Sequence, residues 1–73
     1  MINKIKLCAE KIFKKKIKNF EKLKIGDLKE WDSLGHINLL LEIEKKFKIK
    51  FSMKEISELN SIKKITERLK KIK

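Results

Sequence analysis

The residues with the clearest chemical potential lie in one stretch, Glu30-Trp31-Asp32-Ser33-Leu34-Gly35-His36-Ile37. This stretch places the Ser33 hydroxyl between an acid and a strongly apolar run that begins at Ile37. Asp and Ser are favoured just before a helix, because their side-chain oxygens accept hydrogen bonds from backbone N–H groups that the helix leaves unpaired. We therefore expect Ser33 to be exposed at the mouth of a helix. A phosphate ester on its oxygen would meet unpaired amides and the positive end of the helix dipole.

Two other interpretations use the same residues. In the first, Asp32 and Ser33 form a helix cap and have no further role. In the second, His36, one turn after Ser33, acts with it as a hydrolytic pair, but one short helix end supplies no third group to orient the histidine. The sequence therefore favours a protein that is not an enzyme.

The longer pattern resembles the core motif of acyl carrier proteins: Trp31-Asp32-Ser33-Leu34, then Gly35-His36-Ile37-Asn38-Leu39, then Glu44 and Phe47-Lys48-Ile49. The resemblance runs from about Ile25 to Leu69, and a short helix before it also fits. In that family the serine of the Asp-Ser-Leu tripeptide receives a 4′-phosphopantetheine arm from coenzyme A. The thiol of the arm carries acyl groups as thioesters. The resemblance thus implies a carrier protein with Ser33 as its attachment site.

The resemblance also implies which partners act on the chain. A phosphopantetheinyl transferase would attach the arm, and Asp32 would assist by approaching the divalent ion of that enzyme. An acyl-loading ligase, a condensing enzyme or an acyltransferase would then use the arm, and the core between the helices would shelter the acyl chain. The residues implied in docking lie on the helix after Ser33: Leu34, Gly35, Asn38, Glu42 and Glu44.

The charge of this helix departs from the family pattern. Gly35 and Asn38 stand at positions that are commonly acidic, and Lys45 and Lys46 replace acids before Phe47. The resemblance therefore implies a specialised lipid, polyketide or modification pathway rather than general fatty-acid synthesis. An aminoacyl carrier of the D-alanyl type is the nearest alternative.

The composition fits one small domain over residues 1–73, with 41% hydrophobic and 42% charged residues. A chain of this size builds a core that is only marginally stabilising. No run of about 18 apolar residues is present, so we expect no membrane span. The N-terminus lacks the compact apolar segment of a secretory signal. Cys8 is the only cysteine, so we expect no internal disulfide, and no residues suit a metal site. A cytoplasmic monomer is expected.

The formal net charge of +11 raises a second alternative, a small basic helical protein that binds nucleic acid. However, Arg68 is the only Arg among the 21 basic residues, and recognition of bases and phosphates favours the Arg fork. Joint Lys and Ile enrichment is also what an AT-rich genome imposes. We therefore expect no nucleic-acid partner. Between Asp27 and Glu44 five acids face one Lys, a net of −4, which predicts an acidic island around Ser33.

The apolar periodicity predicts an all-α fold, a small four-helix bundle with three longer helices and one short one. The helices are expected over about 3–16, from Ser33 or Leu34 to Phe47, over about 53–58 and over about 61–71. The second helix carries a broad apolar stripe that suits a central helix: Leu34, Ile37, Leu40, Leu41, Ile43 and Phe47. Leu40 and Phe47 are expected in the core.

The remaining segments are expected to pack without forming strands. Residues 17–31 form a long loop whose apolar side chains tuck under it, and Trp31 packs against the helices near Ser33. Residues 47–51 alternate like a strand but have no partner, so they are interpreted as an extended connection. A capping box begins at Ser52. The expected inward residues of the last helix are Ile62, Ile65, Leu69 and Ile72.

Overall fold

The computed structural model describes residues 2–71. Its four α-helices are α1 (Ile2–Phe13), α2 (Ser33–Phe47), α3 (Met53–Glu58) and α4 (Ile62–Lys70). The described residues contain no β-strand, so the prediction of an all-α fold with three longer helices and one short one is confirmed. No helix within this range has the length and apolarity needed to cross a bilayer.

The core lies where α1, α2 and α4 meet the long loop between α1 and α2. Its largest fully buried side chains come from all four of these segments: Ile5, Trp31, Leu39, Leu40, Ile43, Ile62, Ile65 and Leu69. Cys8 is buried on the inner face of α1. In a domain this small, burial of these few side chains must supply most of the stability.

The first helix ends three residues before the predicted boundary at residue 16. Lys14 has a left-handed backbone with φ 59°, and its N–H donates to the Glu10 carbonyl at 2.8 Å. A left-handed residue of this kind terminates a helix. The Glu10 side chain then accepts the Ile17 N–H at 3.0 Å. The run Lys14–Lys16 therefore lies beyond the helix and does not form its last turn.

The long loop is held by backbone pairing to the start of α4. Lys24 forms an isolated antiparallel bridge with Ser61. On either side of it, Ile25 N–H donates to the Asn60 carbonyl at 2.9 Å and Ile62 N–H donates to the Leu23 carbonyl at 3.0 Å. A single turn of 3-10 helix, Phe20–Lys22, buries Phe20. The loop is thus ordered by local structure that hydrophobic spacing did not predict.

The orientation of α2 corrects part of the predicted stripe. Leu40 is completely buried, and Phe47 is partly buried against the core. By contrast, Leu34, Ile37 and Leu41 are exposed. The apolar set on α2 was too broad for one face: the buried side is centred on Leu40 and Ile43, so the residues on the opposite side face solvent.

The capping box predicted at Ser52 is confirmed, and a serine also caps the last helix. Ser52 Oγ accepts the Glu55 N–H at 3.1 Å, and Glu55 Oε1 accepts the Ser52 N–H at 3.0 Å, which completes the capping box of α3. The N-cap of α4 is Ser61, whose Oγ accepts the Lys64 N–H at 3.2 Å. The buried residues of α4 are Ile62, Ile65 and Leu69, and the fourth predicted inward residue, Ile72, lies outside the described residues.

The segment between α2 and α3 has no regular secondary structure, and it begins with Lys48 in a left-handed conformation with φ 57°. Phe51 is buried and Ile49 is partly buried. Within residues 2–71 this segment pairs with no strand. Its Phe51 N–H is instead satisfied by the side chain of Glu44, whose Oε2 accepts it at 2.6 Å.

Candidate functional site

Ser33 is the first residue of α2, and its side chain is exposed. The N-cap is the preceding residue, Asp32, whose Oδ1 accepts a 2.8 Å hydrogen bond from the Gly35 N–H. The sequence left open which of the two residues forms the cap. Because Asp32 takes this role, the Ser33 hydroxyl is left without a hydrogen-bond partner in the described part of the chain.

The first amides of α2 lie beside this hydroxyl. A helix leaves its first N–H groups without internal partners. Here the Gly35 N–H is taken by the Asp32 side chain, and the His36 N–H donates to the Asp32 carbonyl at 2.8 Å. The N–H groups of Ser33 and Leu34 have no partner among residues 2–71. These two donors and the dipole of a 15-residue helix favour an anionic group on the Ser33 oxygen.

Trp31, the residue just before the cap, is anchored in the core. Its side chain is only 1% exposed. The centroid of its ring lies 6.0 Å from that of Phe13 on α1 and 6.1 Å from that of His36 on α2. The expectation that Trp31 packs against the helices near Ser33 is therefore confirmed. Through this anchor the core determines where α2 begins.

His36 is a structural residue and both of its ring nitrogens are occupied. The Trp31 indole N–H donates to His36 Nδ1 at 3.0 Å. Since an indole nitrogen can only donate, Nδ1 must accept and the ring proton lies on Nε2. Nε2 then donates to the Ile56 carbonyl of α3 at 2.7 Å. With its ring buried and both nitrogens engaged, His36 has none free to act as a base on Ser33.

Gly35 is required by a close approach of the loop backbone. A Cβ at this position would lie 2.1 Å from the Glu30 carbonyl oxygen and 3.3 Å from Asp32 Oδ1. The reason is that the loop that leads into the cap crosses directly over Gly35.

The residues implied in docking divide into two groups. Leu34 and Asn38 are exposed along α2, with Gly35 partly covered by the loop. Glu42 and Glu44 are partly buried and are engaged by other elements: Glu42 Oε2 lies 3.1 Å from Lys11 Nζ, and Glu44 accepts the Phe51 N–H. A docking role for these five residues stays a prediction. The structure brings the first group beside Ser33 and commits the carboxylates of the second to internal contacts.

An apolar row follows Ser33 along the outer side of α2. Leu34 is 67% exposed, Ile37 is 44% exposed and Leu41 is 47% exposed. Spacings of three and four residues place side chains on the same side of a helix. The row therefore extends from the residue after Ser33 for two turns of the helix.

Two surface clefts of the described residues lie away from Ser33. One, of about 540 Å³, is lined by residues of α1, the loop and α4, including Ile2, Ile62 and Thr66. Another, of about 550 Å³, lies between α3 and α4 beside Leu59 and Arg68. Neither is lined by Ser33 or by the apolar row, so shelter of an acyl chain inside the helices stays a prediction.

The ionisable groups near the site are held by specific partners. The Lys15 ammonium, 3.0 Å away, keeps the pKa of the Glu30 carboxyl below its ordinary value. The Lys24 backbone N–H donates to Asp27 at 3.0 Å and lowers the pKa of that carboxyl. Burial raises the pKa of the Cys8 thiol. Among the described residues, no cluster of side chains could hold a metal ion.

No family model, curated protein or solved structure matches this chain. The resemblance to acyl carrier proteins therefore rests on the residues from 25 to 69 themselves. Two structural contacts at the site were not predicted: the path from Trp31 through His36 to Ile56, and the passage of Glu30 over Gly35. A signal for the first of these contacts was present in the sequence, since an aromatic residue and a histidine lie on opposite sides of a helix cap.

Proposed function

We propose that this chain is an acyl carrier domain that bears a 4′-phosphopantetheine arm on Ser33. The observation that carries the proposal is the environment of Ser33, which is exposed and stands first in α2 beside two amides that have no partner among residues 2–71. The resemblance of residues 25–69 to acyl carrier proteins supplies the identity of the group. The chain would act with a phosphopantetheinyl transferase and with enzymes of a specialised pathway.

The residues present fit such an arm. The Ser33 Oγ is open to an incoming transferase. The N–H groups of Ser33 and Leu34 would donate hydrogen bonds to the phosphate oxygens. Asp32 caps the helix through one carboxylate oxygen, which keeps the group next to Ser33, where it can approach the divalent ion of the transferase. Leu34 offers the first apolar surface beyond the phosphate. When bound, the arm supplies the thiol that carries an acyl group as a thioester.

The proposal is tested by intact mass after incubation with coenzyme A and a broad-specificity phosphopantetheinyl transferase. The wild type should gain the mass of one arm, and Ser33→Ala should gain nothing. Ser57→Ala is the matched control, because Ser57 is also exposed but lies in α3, with its hydroxyl donating to the Lys54 carbonyl at 2.9 Å. This control should gain one arm. Equal modification of the wild type and Ser33→Ala would contradict the proposal.

The net charge of +11 is the observation that favours a second candidate, a nucleic-acid-binding protein. The exposed lysines, however, are spread over α1, the loop, α2 and α4. Arg68, the only Arg, is bound to Glu55 at 2.5 Å and lies over the Phe51 ring, 5.6 Å from its centroid. The guanidinium that would best read a phosphate or a base is therefore engaged internally.

The two candidates differ in their binding to duplex DNA and RNA. A carrier with dispersed lysines should show weak attraction that falls steeply with salt. We expect no saturable binding to either duplex at near-physiological ionic strength, measured by fluorescence anisotropy. A tight complex with sequence preference at that salt concentration would favour the nucleic-acid-binding protein.

A further inference from the structure

The acidic side chains near Ser33 form contacts with other groups of the chain. The sequence from Asp27 to Glu44 contains five acids and one Lys. Three of these acids form ion pairs with lysines from outside that stretch: Asp27 with Lys24 at 3.3 Å, Glu30 with Lys15 at 3.0 Å, and Glu42 with Lys11 at 3.1 Å. The three lysines thus offset three of the four net negative charges.

The other two acids accept backbone hydrogen bonds. Asp32 takes the Gly35 N–H at 2.8 Å and Glu44 takes the Phe51 N–H at 2.6 Å. Each of the five carboxylates therefore has an internal partner. The three ion pairs reduce the net charge of the acidic island expected from the sequence, although Asp32 itself has no basic partner among residues 2–71.

The cations of α2 are left facing solvent. Lys45 follows Leu41 by four residues and so continues the apolar row along the same side of the helix. Lys45 and Lys46 are both exposed and form no ion pair with any residue between 2 and 71. The outer side of α2 is thus an apolar row, with Ser33 at its beginning and lysines at its end. We call this the α2 docking face, defined by Leu34, Ile37, Asn38, Leu41, Lys45 and Lys46.

We infer that the α2 docking face binds an enzyme whose own surface is an apolar patch flanked by acidic residues. A partner with a basic rim would bring like charges against Lys45 and Lys46, which slows encounter and disfavours the complex. It would also find no free carboxylate on α2, since Glu42 and Glu44 are engaged. An acidic rim is complementary to the lysines while the apolar patch covers Leu34, Ile37 and Leu41. The partner is named as an enzyme because the inference rests on the proposed carrier function.

Two synthetic amphipathic helical peptides can probe this face. They share one apolar side, which is flanked by Glu in the first peptide and by Lys in the second. In a titration of the isotope-labelled apo-protein, the Glu peptide should shift the amide resonances of residues 34–46 saturably, with affinity falling as salt rises. The Lys peptide should leave these resonances unshifted at the same concentrations.

Charge-reversal variants separate this face from the general basicity of the chain. Lys45→Glu with Lys46→Glu should weaken binding of the Glu peptide about fivefold or more, since each exposed ion pair contributes little but two are reversed. Lys63→Glu with Lys64→Glu is the matched control on α4, where both lysines are also exposed. This control should weaken binding by less than twofold at moderate salt.

Three results would overturn the inference. These are binding of the Lys peptide to α2 as tightly as the Glu peptide, binding of the Glu peptide centred on α4, and equal losses in the two charge-reversal variants. The titration uses apo-protein and needs no arm on Ser33. A chain that binds the Glu peptide on α2 but gains no arm would therefore contradict the carrier function alone, and the acidic character of the partner surface would stand.

Discussion

The Trp31 indole N–H donates a 3.0 Å hydrogen bond to Nδ1 of His36, five residues later. This contact joins the end of the long loop to the first turn of α2, and His36 extends it to the Ile56 carbonyl of α3 at 2.7 Å. This path therefore ties the loop, α2 and α3 together, and two of its residues, Trp31 and His36, lie within three residues of Ser33. The position of the proposed attachment site depends on this buried polar path as well as on apolar packing.

Loss of the His36 ring should destabilise the fold. His36→Leu leaves the buried Trp31 N–H without its acceptor and the Ile56 carbonyl without its donor, and each unpaired buried group costs about 1–3 kcal/mol. Urea denaturation of this variant, of Trp31→Phe and of the double variant should give a coupling energy of about 0.5–3 kcal/mol. Strictly additive losses would show that the two side chains do not stabilise each other.

Neighbouring leucines on α2 should respond very differently to truncation. Leu40 is completely buried and Leu41 is 47% exposed. Leu40→Ala should lower the free energy of unfolding by about 2–5 kcal/mol, because it removes apolar contacts and leaves a cavity. Leu41→Ala should change it by less than about 1 kcal/mol. Similar denaturation midpoints for the two variants would mean that the wrong side of α2 has been assigned to the core.

A methyl group at Gly35 should destabilise the chain even though Ala is the better helix former. Helix propensity alone predicts a gain of about 1 kcal/mol for Gly35→Ala. The added Cβ, however, would lie 2.1 Å from the Glu30 carbonyl, so loop and helix must separate. We expect a net loss of stability in thermal unfolding, whereas Asn38→Ala on the exposed side should gain slightly. An increase in melting temperature for Gly35→Ala would refute the close approach.

Cys8 should be inert while the protein is folded. Burial raises the pKa of its thiol, and the nearby Glu42 carboxylate raises it further. Reactivity follows the thiolate and its exposure. The folded apo-protein should therefore react slowly with a thiol reagent, and the same protein in denaturant should react rapidly. After treatment with coenzyme A and transferase, one rapid equivalent should appear in the wild type and none in Ser33→Ala. Rapid reaction of the folded apo-protein would contradict the buried position of Cys8.

The sequence was most informative where local rules decide the structure. The capping box at Ser52 and the start of α2 at Ser33 depend on side chains that bond to neighbouring amides, and both were predicted from their spacing. The end of α1 was not, because a lysine with positive φ leaves no mark in the sequence. Gly is the residue expected at such a position.

Periodicity also could not determine which side of α2 packs into the core. Apolar residues occur on both sides of this helix, and only tertiary packing selects Leu40 over Leu41. The acidic island is weaker than the sequence suggests for a related reason: the lysines that pair with three of its acids, at positions 11, 15 and 24, come from other segments. Net charge along a stretch does not give the charge of the surface that the stretch forms.

The most direct test of the carrier function is the location of the arm within the chain. Wild-type protein treated with coenzyme A and transferase can be fragmented in the mass spectrometer, and the site of added mass read from the fragments. We expect all of the added 4′-phosphopantetheine to lie on Ser33. Its presence on Ser52, Ser57 or Ser61, or its absence while an ordinary acyl carrier protein is fully converted in the same reaction, would contradict the carrier function.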